Sequence, residues 1–142
     1  MINGMISFAK KWRREWLVRR REEFLARPIR LGVLAIMKNE FINIDEWVEH
    51  YLWVGAAKIY LMDNGSTNDT LQKARKWQEA GCVDIIELPE KYKQVQRYRT
   101  AIKYFQIERN CDWLLVADVD EFWSCPNGDS ITKALQEFQT MT

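Results

Sequence analysis

Four short apolar runs punctuate the chain, and longer polar stretches with helical spacing separate them. Leu31-Gly-Val-Leu-Ala-Ile-Met37 is apolar throughout, the pattern of a strand buried on both faces. Lys58–Met62, Val83–Leu88 and Trp113–Ala117 read as three further strands, the last also buried. Between the first two, Asp45 is placed to cap a helix from Glu46 to Val54. Trp47, Val48, Tyr51 and Leu52 recur there at three- and four-residue spacing, and Gly55 supplies the stop. A second helix runs to Ala80 and closes on Gly81, with Ser66 and Asp69 spaced as a capping box. A third covers Gln94–Arg109 with Val95, Tyr98, Ile102 and Phe105 on one stripe; a last one, Ser130–Gln139, follows the Pro126-Asn-Gly128 turn. Strands alternating with helices predict a three-layer α/β domain with a mostly parallel sheet, because right-handed crossovers place helices on both faces.

Residues 1–29 read differently, as a basic N-terminal helix ahead of a domain spanning 30–142. Between Lys10 and Arg30 nine Lys or Arg residues face three Glu, and Phe8, Trp12, Trp16, Leu17, Phe24 and Leu25 hold no single face. Packing on the domain edge is one reading of this segment, and contact with anionic lipid is another. The whole chain carries a net charge of only +1 and is 47% apolar, which excludes a disordered chain and gives no general attraction for nucleic acid. No apolar run approaches the roughly 18 residues needed to span a bilayer. The first apolar residues precede the charges instead of following them, the reverse of a signal peptide. A cytoplasmic setting is expected, peripheral to the inner face of the membrane where the basic helix engages lipid. Cys82, Cys111 and Cys125 match neither a zinc spacing nor a disulfide framework. His50, the one histidine, is expected on the surface or packed, not as a ligand.

In such a sheet, ligands bind outside the carboxyl ends of the strands. Three of the four ends are polar: Lys38-Asn39-Glu40, Asp63-Asn64-Gly65-Ser66 and Asp118-Val119-Asp120-Glu121. In an extended segment Asp118 and Asp120 share a face, so both carboxylates can converge on a hard divalent cation, magnesium or manganese, that also takes a phosphate. The plainer reading of an Asp-X-Asp is a loop cap. Asp63, with Asn64 and a flexible Gly65, can bring a carboxylate and backbone donors against a base or ribose. Lys91, Lys93, Arg97 and Arg99 form either a solvated face or a diphosphate clamp. No Gly-X-Gly-X-X-Gly, Walker loop or Ser/His/Asp set is present.

Lys38-Asn39-Glu40, Glu46-Trp47-Val48-Glu49, Asp63 through Asp69, and Trp113 through Asp118-Val119-Asp120-Glu121-Phe122 follow an order and spacing similar to those of family 2-like glycosyltransferases. They most resemble the subgroup whose metal motif reads Asp-X-Asp-Glu-Phe, and the resemblance covers Arg30 to Trp123. It implies a GT-A (Rossmann-like) domain that binds a nucleotide-diphospho-sugar with Mn2+ or Mg2+ and transfers the sugar with inversion. By position, it implies that Asn39 and Glu40 line the nucleotide pocket and that Asp63, with Asn64 beside it, meets the base. Asp118 and Asp120 then hold ribose and the metal-diphosphate. The implied partners are a UDP-sugar donor and a glycan or lipid-linked acceptor, with no nucleic acid. Family members continue well past the Asp-X-Asp, where the acceptor site and general base lie. The expectation is therefore a donor-binding half, incomplete at the C-terminus and inactive alone, with no catalytic base identified. A non-catalytic nucleotide-binding or protein-interaction domain derived from such an enzyme is the alternative.

Overall fold

Along Leu31–Met37 the side chains alternate between two separate apolar cores, as a run with no polar face requires. The computed structural model describes residues 15, 16, 18, 19, 27–88 and 94–141. Among the described residues, four strands form one sheet: β1 (Leu31–Met37), β2 (Ala56–Asp63), β3 (Val83–Glu87) and β4 (Trp113–Val116). Their order is β3-β2-β1-β4, and each neighbouring pair is parallel. The helices are α1 (Ile44–Trp53), α2 (Thr70–Glu79), α3 (Gln94–Tyr104), α4 (Ile107–Asn110) and α5 (Ile131–Met141).

On one face Leu31, Val33, Ala35 and Met37 join Ile59 and Leu61 against Trp47, Val48 and Tyr51 of α1, Ala74 of α2, and Ile131 and Leu135 of α5. On the other, Leu34, Tyr60 and Met62 pack against Ala101 of α3, Phe105, Ile107 of α4, and Cys111. The domain thus has the expected three layers. Each fully buried Leu or Val contributes about 1.5–3 kcal/mol relative to exposure, so the two-sided burial of β1 dominates the packing. A Cβ on Gly32 would lie 2.6 Å from Cys111 Sγ, so β1 passes this cysteine at a distance that glycine alone permits. Cys82, Cys111 and Cys125 are all free thiols.

Several local expectations need correction. The third helix breaks at Gln106, whose φ of 51° is left-handed, so α3 stops at Tyr104 and α4 restarts beyond it. Val95 leaves the predicted stripe and is 63% exposed, whereas Tyr98, Ile102 and Phe105 pack as expected. β4 is not buried: it lies at the sheet's edge with β1 as its only neighbour among the described strands, and Trp113 and Val116 are exposed. Asp45 caps nothing. Its carboxylate instead accepts from Trp77 Nε1 at 2.8 Å and pairs with Lys73 Nζ at 3.4 Å, tying α1 to α2. The capping box also fails, because Asn68 Oδ1 takes the Thr70 N–H at 3.1 Å while Ser66 bonds elsewhere. Most of the predicted N-terminal helix lies outside the described residues, as do Lys91 and Lys93; Glu15, Trp16, Val18 and Arg19 are helical. No described helix is long and apolar enough to cross a membrane.

Candidate functional site

Parallel strands deliver their carboxyl ends to one edge, and hydrogen bonds join two of the polar segments along its rim, those that follow β1 and β2. Asn39 adopts a left-handed φ of 57°, a conformation asparagine tolerates better than most residues. From there its N–H donates to Ser66 Oγ at 3.0 Å, and its Oδ1 accepts from Thr67 N–H at 2.8 Å, joining the exits of β1 and β2. The Glu40 carbonyl accepts from the N–H groups of Asn43 and Ile44, which starts α1. Asp63 is only 3% exposed. Its Oδ2 accepts from Ser66 N–H at 3.1 Å, while its Oδ1 and the Oδ1 of Asn64 are buried without a hydrogen-bond partner.

Asp118 and Asp120 do not lie in an extended segment. They sit in a turn closed by Glu121 N–H donating to the Asp118 carbonyl at 2.9 Å. Between them Val119 is buried in the core, so the two acids flank an anchored side chain. Glu121, though exposed, does not line the cavity of the two aspartates, and its Oε2 accepts the Asp118 N–H at 3.0 Å. The turn nevertheless brings both aspartates to one cavity of about 400 Å³, lined also by Ile36, Lys38, Glu40, Gln94, Arg97 and Val119. The basic cluster therefore divides: Arg97 turns into this cavity with Lys38, whereas Arg99 lines a different groove. A neighbouring cleft of about 380 Å³ lies on the other side of Asn39 and Glu40, between the starts of α1 and α2. Asp63 and Asn64 line neither cavity; they sit beneath the rim.

The residues that hold the acidic turn were legible only as core. Trp47 Nε1 donates to the Asp118 carbonyl at 2.8 Å, and the Tyr51 hydroxyl donates to the Glu121 carbonyl at 2.8 Å while accepting from Trp123 N–H at 3.2 Å. His50 Nε2 meets the Trp123 carbonyl at 2.7 Å, and its ring packs edge-on against Phe122. One face of α1 therefore clamps residues 118–123. His50 is packed, as expected, but it also belongs to this clamp.

The structure is an α/β domain in which paired carboxylates at the carboxyl-end edge of the sheet share a cavity with two cationic side chains. The chain belongs to glycosyltransferase family 92, whose model matches residues 34–142. That family is distinct from the family 2 of the sequence resemblance; the glycosyltransferase class is common to both. No curated protein sequence matches the chain. Among solved structures it is similar to the crystal structure of S. aureus TarS, with 15% identity and a TM-score of 0.58 over 79% of this chain and 20% of that one. It is also similar to S. aureus TarS 1-349, with 15% identity and a TM-score of 0.56 over 79% of this chain and 32% of that one. At such identity the likeness is one of fold, and the chain spans less than a third of the length of either structure.

Proposed function

We propose that the edge built from residues 38–40, 94–97 and 118–120 is the donor site of an inverting sugar transfer, binding a nucleotide-diphospho-sugar together with Mn2+ or Mg2+. The observation that carries this reading is the meeting of Asp118 and Asp120 with Lys38 and Arg97 in one cavity. Two carboxylates alone repel each other, and two cations alone suit any anion; together they suit a cation-diphosphate pair. Among the described residues no group of three or more His, Cys, Asp or Glu side chains could hold a metal. Two carboxylates are still a fitting partial shell for Mg2+ or Mn2+, which complete their coordination with water and substrate phosphate. Bound there, a divalent cation supplies Lewis-acid stabilisation of charge on the leaving diphosphate.

The chain's own residues supply the rest. Asp118 and Asp120 bind the cation, and Lys38 and Arg97 neutralise phosphate oxygens. Asp63 and Asn64 line neither cavity, so no contact with the ligand is assigned to their buried acceptors. UDP is the nucleotide we favour, with a glycan or lipid-linked acceptor. The test is thermal unfolding with MnCl2 and a panel of UDP, GDP, CDP and UDP-sugars, comparing wild type with Asp120→Asn. A ligand at 100 times its Kd stabilises by about 2.7 kcal/mol. A metal-dependent shift with one nucleotide, lost in the variant, is expected; a folded protein that shifts with none overturns the proposal.

A further inference from the structure

Charge is segregated in this nearly neutral molecule. Residues 94–112 carry Arg97, Arg99, Lys103 and Arg109 against Glu108 and Asp112. Apart from Arg97, these cations leave the donor edge: Arg99, Lys103 and Arg109 are exposed and line a groove of about 660 Å³ with Ile102, Gln106 and Glu108. Among the described residues no acidic side chain pairs with these three. The groove continues toward the start of β1, where Arg30 Nη1 donates to the Arg109 carbonyl at 3.2 Å and Arg27 and Arg30 share Asp112. It lies at the amino ends of the strands, because α3 runs back from the ligand edge and Arg109 and Asp112 precede β4.

We infer that this α3–α4 groove is a docking surface for an anionic phospholipid bilayer. Its charge complements the headgroups and Ile102 adds apolar area, while the basic segment Lys10–Arg30 supplies a further attraction that is the same in wild type and in variants of the groove. Docking through this edge holds the acidic rim away from the lipid by the length of β1, roughly 23 Å for seven residues. The donor edge then faces water while the protein is held at the surface. The inference is independent of what the donor edge binds.

The test uses the whole 142-residue chain in sedimentation with phosphatidylcholine vesicles, alone or containing roughly one-third phosphatidylglycerol. Wild type should bind the anionic vesicles only, and salt should release it. Each basic side chain near such a surface is worth about fivefold in affinity, so Arg99→Gln/Lys103→Gln/Arg109→Gln should weaken binding on the order of a hundredfold. Glu108→Gln should tighten it by about fivefold. All four side chains are exposed, and circular dichroism verifies the fold of each variant. A triple variant that binds like wild type, equal binding to neutral vesicles, or a preference for duplex DNA over anionic vesicles would each overturn the inference.

Discussion

Tyr51 serves the acidic turn twice with one hydroxyl, donating to the Glu121 carbonyl and accepting from Trp123 N–H. Burial raises its pKa above the ordinary phenol value, against the opposing Trp123 hydrogen bond, so the proton needed for donation is kept at neutral pH. Tyr51→Phe preserves the ring packing on Trp47 and removes both bonds. At about 0.5–1.5 kcal/mol each, their loss should lower stability in urea by about 1–3 kcal/mol with an unchanged m value. Unchanged stability would mean that the Tyr51 hydroxyl does not hold the turn. Asp112 offers a pH-dependent counterpart at the other edge. Desolvation pushes its carboxyl up, but hydrogen bonds from the side chain and backbone of Arg30, with the charges of Arg27 and Arg30, outweigh it and hold the pKa below the usual carboxylate range. A folded-state pKa below the unfolded value of about 3.9 gives stability that is complete above that value and vanishes as pH falls through the lower one. Acid titration of stability should therefore be shallower in Asp112→Asn than in wild type below about pH 4; equal slopes would remove Asp112 from the account.

At the scale of elements, the junction of α1 with α5 depends on Gly55. Its φ of 105° is left-handed territory, and a Cβ there would lie 2.2 Å from Thr132 Oγ1. Ile131 N–H donates to the Val54 carbonyl at 2.8 Å, so the start of α5 rests on the end of α1. Gly55→Ala should lower stability by about 1–3 kcal/mol, by strain in the backbone as well as by collision. Gly55→Ala/Thr132→Ala should recover part of that loss in thermal unfolding, since it removes Oγ1 and Cγ2 but leaves the dihedral and a 3.1 Å approach to the Thr132 Cβ position; full recovery would leave no role for the backbone. Gly55 was legible as a helix stop and illegible as the seat of α5, because a local pattern carries no information about Thr132. The same limit explains the clamp. Trp47 and Tyr51 read correctly as a buried stripe, yet their bonds to Asp118 and Glu121 span 71 and 70 residues. The strands were legible because continuous apolar runs leave few alternatives. The extended reading of Asp118–Asp120 failed because Glu121 and the Trp47 indole close the backbone into a turn, and the single long helix failed at one left-handed glutamine.

Across the whole molecule, protection from solvent should fall outward from the middle of the sheet. β1 is paired on both sides and buried on both faces, so its amides should exchange only with global unfolding. Among the described residues β4 is paired on one side. The amides of Trp113 and Ala117 donate to the carbonyls of Arg30 and Leu34 on the β1 flank. The alternation of a parallel ladder then places the Leu114 and Val116 amides on the opposite, open flank. Hydrogen exchange read residue by residue should find Leu114 and Val116 faster than Ala117, on the order of tenfold or more. Among the described residues no strand covers that edge, and with Trp113 and Val116 exposed it is also a template for further pairing. If Leu114 and Val116 prove as protected as Ala117, another strand covers that edge in solution, and the four-stranded sheet is part of a larger one.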